Sequence, residues 1–298
     1  MRIQVTNDDG IASDGLQILA AHLSRAGHEV VVIAPDRDYS GFSAALGSIR
    51  SDEPLDVERV HLDLAPGVEA WALAGSPALT VVAGRLGAFG PPPDLIVSGI
   101  NAGLNTGRAI QHSGTVGAVL TAQNFGASGL AVSVADSDPW SWEAAAEVAV
   151  EVLDLLIAAP PRSALNLNVP AVGKRSDLAG IRWGRLAPFG AVRAAAAPLR
   201  DGDAQLQFEL VQTDYVPDHD TDQGLVLAGY AALTALVGVT EAWSPTFPEP
   251  AGGPATQAVP ELEGIVPRIV PGAPLHPVHR VPDASAPHTL RRPALGER

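Results

Sequence analysis

Hydrophobic and polar positions along the chain follow two patterns that alternate from the first residues onward. Ile3-Gln4-Val5-Thr6 is a short β-branched run, the make-up of a strand. Leu16, Leu19, Ala20 and Leu23 then recur at i, i+3, i+4 and i+7, which predicts a helix over 15–23. Residues 29–34 are almost continuously apolar, as parallel strands buried on both faces tend to be. This strand–helix–strand spacing fits one βαβ unit. Weak alternation between 46 and 74 predicts short strands. Gly75-Ser76-Pro77 opens a helix, with Ser76 as N-cap and Pro77 at its first position, and Pro91-Pro92-Pro93 closes it. Further strands are predicted at 94–98, 129–134 and 165–170. Helices are predicted after the small-residue turn 112–117 and over 142–158. Regular alternation to about residue 170 predicts a Rossmann-like α/β fold with a mostly parallel, doubly wound sheet.

The pattern changes after that. Asp201-Gly202 lies between two extended stretches and predicts a β-hairpin extension. Residues 218–240 return to helix and strand character. From Ser244 to Arg298 come 12 of the chain's 26 prolines and few bulky apolar residues. That stretch is expected to be a disordered, Pro-rich tail, so the chain divides into a folded domain at 1–243 and a tail at 244–298.

Composition narrows the chemistry. With 298 residues and 46% hydrophobic content, the chain can bury a large core. It has no cysteine, which excludes disulfides, thiolate metal sites and a cysteine nucleophile. The net charge is −14, and the tail carries five acidic and five basic residues, so the excess belongs to 1–243. Such a surface argues against stable nucleic-acid binding, and an anionic substrate would need a bound cation beside it. Met1-Arg2 runs straight into a strand, and Asp8-Asp9 interrupts any apolar leader. The uncharged run 225–239 falls short of the ~20 residues that span a bilayer. A soluble cytoplasmic protein without a membrane partner is expected.

In a parallel sheet every βα loop leaves at one edge, and ligands bind there. Asn7-Asp8-Asp9-Gly10 follows the first strand, Ser40 the second and Asn101 the third. Alone, Asn-Asp-Asp-Gly is an ordinary Asx turn. Placed at that edge, two carboxylates, a hydroxyl and an amide form a hard-oxygen set suited to Mg²⁺, Mn²⁺ or Ca²⁺ rather than zinc. Beside them, Gly99 to Gly107 and Ser113-Gly114-Thr115 supply N–H groups and hydroxyls at a helix entry, a ready anion cradle. A cation next to an anion cradle describes a phosphoryl site. His112 is read as a surface or packing residue, and His276, His279 and His288 as tail residues without a specific role. Trp140 and Trp142 are read as packing at a helix start, and Asp218, Asp220 and Asp222 as a solvated turn ending in a helix cap.

Together these motifs make the chain resemble the SurE family, the survival-protein nucleotidases. The resemblance rests on Thr6-Asn7-Asp8-Asp9-Gly10-Ile11, on Ala34-Pro35-Asp36-Arg37 with Ser40-Gly41-Phe42-Ser43, and on Gly75-Ser76-Pro77-Ala78. It continues through Val97-Ser98-Gly99-Ile100-Asn101-Ala102-Gly103 with Asn105, Ser113-Gly114-Thr115-Val116-Gly117-Ala118, Asn166-Leu167-Asn168-Val169-Pro170 and Thr221-Asp222. It implies a phosphatase acting on nucleoside 5′- or 3′-monophosphates and assembled as a homodimer or homotetramer. It further implies one divalent ion, Mg or Mn, held by Asp8, Asp9, Ser40 and Asn101. Asn105, Ser113, Gly114 and Thr115 would line the phosphate pocket, with Asn7 and Gly41 also on the substrate side. Asp8 or Asp9 would accept the proton of the attacking water, while Ser113, Thr115 and Asn105 steady the phosphoryl charge. The chain departs from the family at His112, where a Tyr is usual, and at Val119-Leu120-Thr121, which lacks an acidic residue. It also has an alanine-rich stretch at 193–199. These departures bear on the substrate wall and the assembly arm. Two other functions stay open at this point: a nucleotide sensor without turnover, and a metal-dependent nucleotide-sugar transferase.

Overall fold

The computed structural model describes residues 1–50, 52–188 and 216–239, and the strands Val192–Ala196 and Phe208–Gln212. The expected Asp201-Gly202 turn and the tail 244–298 lie outside the described residues. Nine strands form one sheet. In chain order they are β1 (Arg2–Thr6), β2 (Glu29–Pro35), β3 (Val57–Arg59), β4 (Glu69–Leu73), β5 (Leu95–Ala102), β6 (Ser128–Val134), β7 (Ala164–Val169), β8 (Ile181–Trp183) and, last, β11 (Ala231–Leu236). Between the last two, β9 (Val192–Ala196) and β10 (Phe208–Gln212) pair antiparallel as a separate two-stranded ribbon, the expected hairpin. The sheet order is β3-β4-β2-β1-β5-β6-β7-β11-β8. From β4 to β7 every neighbour is parallel; β3 and β11 run against their neighbours β4 and β7.

Period-two alternation in β1 sorts its side chains between two helical layers. Ile3 and Val5 join the larger core cluster under α1 (Asp14–Arg25) and α4 (Trp142–Ala158). Gln4 and Thr6 face the other way, toward α2 (Pro77–Arg85). There Gln4 Nε2 donates to the Thr80 carbonyl at 3.0 Å and the Thr6 and Thr80 hydroxyls meet at 2.8 Å. α2 packs beside α3 (Gly114–Asn124), whose Ala118 and Ala122 cluster with Val81 and Ile96. Helices thus cover both faces, as the doubly wound pattern requires.

The sequence places a loop from Gly99 onward, and the structure corrects this. β5 continues through Asn101 and Ala102, which pair with Ser133 and Val134 of β6 after a register shift following Ser98. Gly99 allows the shift: its φ is +137°, and a Cβ there would meet the Val132 carbonyl oxygen at 2.3 Å. Asn101 therefore projects from a paired strand end, a firmer support than a loop. The apolar run 225–239 is the end of the short helix α5 (Asp222–Leu227), a turn, and β11. No described helix is long and apolar enough to cross a membrane.

Candidate active site

The first turn is built by Asn7. Its Nδ2 donates to the Gly10 carbonyl at 3.1 Å and to Ser13 Oγ at 2.8 Å, while its Oδ1 accepts from the Gly10 N–H at 3.2 Å. Ser13 in turn caps α1 by accepting from the Leu16 N–H. Asn7 is fully buried, and its side chain is committed to holding the turn, not facing a ligand. Gly10 closes the turn at φ +97°, where a Cβ would press on the Arg37 backbone at 2.9 Å. The turn leaves Asp8 and Asp9 at the carboxyl end of β1.

Asp8 points at the start of α3. Its Oδ2 accepts from the Gly114 N–H at 3.0 Å and its Oδ1 from the Thr115 hydroxyl at 2.5 Å. This closeness depends on glycine, since a Cβ at Gly114 would lie 2.7 Å from Asp8 Cβ and 2.8 Å from its Oδ2. Gly114 and Thr115, expected to line the phosphate pocket, therefore direct these donors at Asp8. The nearest anion to a helix N-terminus takes its N–H groups, and here that anion is the protein's own. Ser113 remains available: its Oγ accepts from the Val116 N–H at 3.2 Å as the N-cap of α3, which leaves its hydroxyl hydrogen free to donate.

Asn101 joins this group from β5. Its Nδ2 donates to the Gly103 carbonyl at 2.7 Å, which fixes the amide so that Oδ1 lies 3.2 Å from Thr115 Oγ1. Thr115 has one hydroxyl hydrogen and two acceptors around it, so one oxygen contact stays without a proton. Asp9 adds to the surplus, because its Oδ2 is buried with no hydrogen-bond partner. Burial, then the carboxylates of Asp8 and Asp38, push Asp9 up to about 7, with the Ala102 N–H pulling the other way. Burial also raises Asp8, against the Thr115 and Gly114 donors. More acceptor oxygens than protons, with charge that water cannot relieve, is the condition a hard cation satisfies. Among the described residues no three His, Cys, Asp or Glu side chains form a metal cluster. The set here is two carboxylates and an amide.

Ser40 is brought near but less firmly. The Tyr39 N–H donates to the Asp8 carbonyl at 2.7 Å, which fastens the loop after β2 beside the first turn. Ser40 itself is exposed, its N–H donates to Asp38 Oδ1, and no hydrogen bond joins its hydroxyl to Asp8, Asp9 or Asn101. Gly41 follows at φ +84°, exposed and with open space around it. Ser43 Oγ donates to the Gln111 carbonyl at 2.6 Å, so the same loop reaches the entry to α3. His112 is exposed. Trp140 and Trp142 stack with ring centroids 5.0 Å apart and pack on the core near Gly15.

Asn105 is held by residues that sequence reasoning quoted without a role. Its N–H donates to Asn168 Oδ1 at 2.8 Å, and its carbonyl accepts from Asn168 Nδ2 at 2.8 Å and Asn166 Nδ2 at 2.9 Å. Its own Nδ2 donates to Ser133 Oγ at 2.9 Å, leaving a second amide hydrogen. The signal was present: Asn166 and Asn168 are polar at period two in a strand otherwise apolar and wholly buried. Asp218 and Asp220 pair with Arg185 at the surface, whereas Asp222 is fully buried, so the expected solvated turn extends only to Asp220.

Known proteins are similar to this chain over most of its described length. The family model described as Survival protein SurE matches residues 3–190. A 5′-nucleotidase SurE from Gloeobacter violaceus is 41% identical over 188 residues, covering 62% of this chain and 70% of that protein. One from Xanthomonas campestris pv. campestris is 34% identical over 261 residues, covering 80% and 95%. The crystal structure of the SurE protein from Aquifex aeolicus matches with a TM-score of 0.65 at 29% identity, covering 79% of this chain and 93% of that one. The chain belongs to the SurE survival-protein family.

Proposed function

We propose that this protein is a divalent-metal-dependent phosphatase that hydrolyses nucleoside 5′- or 3′-monophosphates to nucleoside and phosphate. One observation carries it: the unbalanced oxygen cluster of Asp8, Asp9, Asn101 and Thr115 at the carboxyl edge of a parallel sheet. The relatives named 5′-nucleotidase SurE support the substrate class.

Asp8, Asp9 and Asn101 would hold Mg²⁺ or Mn²⁺, with Ser40 completing the set by a small movement of its loop. Such an ion, when bound, supplies Lewis-acid polarisation of the ester and charge neutralisation. Asp8 is anchored by the α3 donors, one on each oxygen, and keeps its remaining lone pairs for the ion. Asp9 has the free oxygen and accepts the proton of the attacking water. The Ser113 hydroxyl and the second Asn105 amide hydrogen stabilise charge on the phosphoryl oxygens. The folded unit is assigned to residues 1–243, acting in the cytoplasm as a homodimer or homotetramer, which sedimentation of the full chain would measure.

Phosphate release from a panel of nucleoside 5′- and 3′-monophosphates tests the proposal. Turnover should require Mg²⁺ or Mn²⁺, stop with chelator, and drop by at least a hundredfold in a folded Asp9→Asn variant. Chelator-resistant turnover, or an Asp9→Asn enzyme as fast as wild type, would remove the assignment. Monophosphate binding without phosphate release would make the protein a sensor.

A further inference from the structure

Asp222 stands outside the turns that carry the chemistry, yet its carboxylate reaches into one of them. It occupies the first position of α5 and is fully buried. Capping that helix does not need it. Thr221 is the N-cap, its Oγ1 accepting from the Gly224 N–H at 3.1 Å. Asp222 Oδ1 accepts from the N–H groups of Ala187 at 2.9 Å and Gln223 at 2.8 Å. Its Oδ2 crosses to the Gly107 N–H at 2.7 Å, 115 residues away in the chain.

Gly107 is the hinge between two groups assigned to the phosphate. Asn105 lies two residues before it. The tight turn Gly107–His112 runs from it into Ser113. The adjoining Arg108 N–H donates to the Ala187 carbonyl at 3.2 Å, so residue 187 and Asp222 grip the start of that turn together. On the other side, Asn168 and Asn166 grip the Asn105 main chain. Four successive main-chain peptides, from 104–105 to 107–108, are thereby held by the side chains of Asn166, Asn168 and Asp222 and by the Ala187 carbonyl.

We infer that Asp222 is a positioning residue for the phosphatase reaction: by fixing Gly107, together with Asn168 at Asn105, it sets where the Asn105 amide and the Ser113 hydroxyl stand. This rests on the nucleotidase reading above. A carboxylate is the group the position calls for, because it meets three N–H donors and can accept from all of them. An amide keeps one accepting oxygen, enough for Ala187 and Gln223, and turns N–H toward N–H at Gly107. Asp222→Asn therefore releases the loop and leaves the α5 end in place. Misplacing catalytic donors by a fraction of an ångström lowers turnover without touching the ion's ligands.

The experiment compares wild type, Asp222→Asn and Asn168→Ala as full chains. Measurements are kcat and KM for AMP and for CMP, which differ only in the base, and Mn²⁺ affinity by calorimetry without substrate. The expected signature is a fall in kcat/KM of tenfold or more for both substrates, carried mainly by kcat, with Mn²⁺ affinity within twofold of wild type. A folded Asp222→Asn enzyme with unchanged kcat/KM overturns the inference. So does parallel loss of Mn²⁺ binding and turnover, which marks a general structural role. Should Asp222→Asn fail to fold, Asn168→Ala must show the same signature, and its absence is equally fatal. If the wild type releases no phosphate, the nucleotidase reading fails by itself. Hydrogen exchange then decides the clamp: the Gly107 amide should exchange slowly in wild type and at least tenfold faster in either variant.

Discussion

Asp8 keeps its place because residue 114 has no side chain. The Asp8 carboxylate sits against the first turn of α3 at a distance that a single methyl group would close. Gly114→Ala should cost about 1–3 kcal/mol, the usual range for overpacking, and should also weaken divalent-ion binding as Asp8 is displaced. Urea unfolding and Mn²⁺ titration check both; a variant with wild-type values on each count would show that Asp8 is not held from this side. The same contact marks the limit of inference from residue order. Asp8, Asp9 and Asn101 were legible because donor type and loop position suffice to bring them to one edge. That Gly114 and Thr115 face Asp8 was not legible, because which anion a helix start meets depends on the angle of the whole helix. Asn7 was hidden for a related reason: an amide in a turn looks the same whether it grips its own backbone or a ligand.

Among the elements, β1, α1, β2, β6, α4 and β7 were readable from periodicity and caps to within a few residues, whereas α2 starts at Pro77 as read but ends at Arg85, short of the triple proline expected to close it. The far end of β5 was not, because its residues after Ser98 pair only after a shift in register that no local pattern announces. The reversal at β11 was equally hidden, since strand direction against a neighbour is a tertiary choice. α5 carries its own prediction. Burial pushes the Asp222 carboxyl above its ordinary value near 3.8, against three N–H donors. The folded protein therefore holds that proton over a range in which the unfolded chain has released it. The stability this contributes is complete below about pH 3.8 and is lost as pH rises through the higher folded value. Thermal midpoints of wild type and Asp222→Asn, measured from pH 4 upward, should diverge accordingly, with wild type losing ground to the variant until the curves run parallel. The opposite slope would mean that the donors outweigh burial.

At the scale of the whole molecule, a chain with a net charge of −14 places two of its carboxylates side by side, Asp8 buried and Asp9 half-buried. Repulsion between them is a standing cost to the fold, and a bound cation would relieve it. Mg²⁺ or Mn²⁺ should raise the thermal midpoint of wild type, by the equivalent of about 2.7 kcal/mol at a hundredfold excess over the dissociation constant, and should do far less for Asp9→Asn. Equal shifts in the two proteins would place the ion elsewhere. The doubly wound architecture was open to reading because a parallel sheet needs a helix between strands, and that rhythm is written along the chain.

The clamp on Gly107 also orders events in time. During synthesis Asp8, Asn101 and Ser113 all emerge from the ribosome more than a hundred residues ahead of Asp222, so the early chain carries these groups and lacks the side chain that fixes Gly107. The brace itself arrives only with α5, just ahead of the last strand of the sheet.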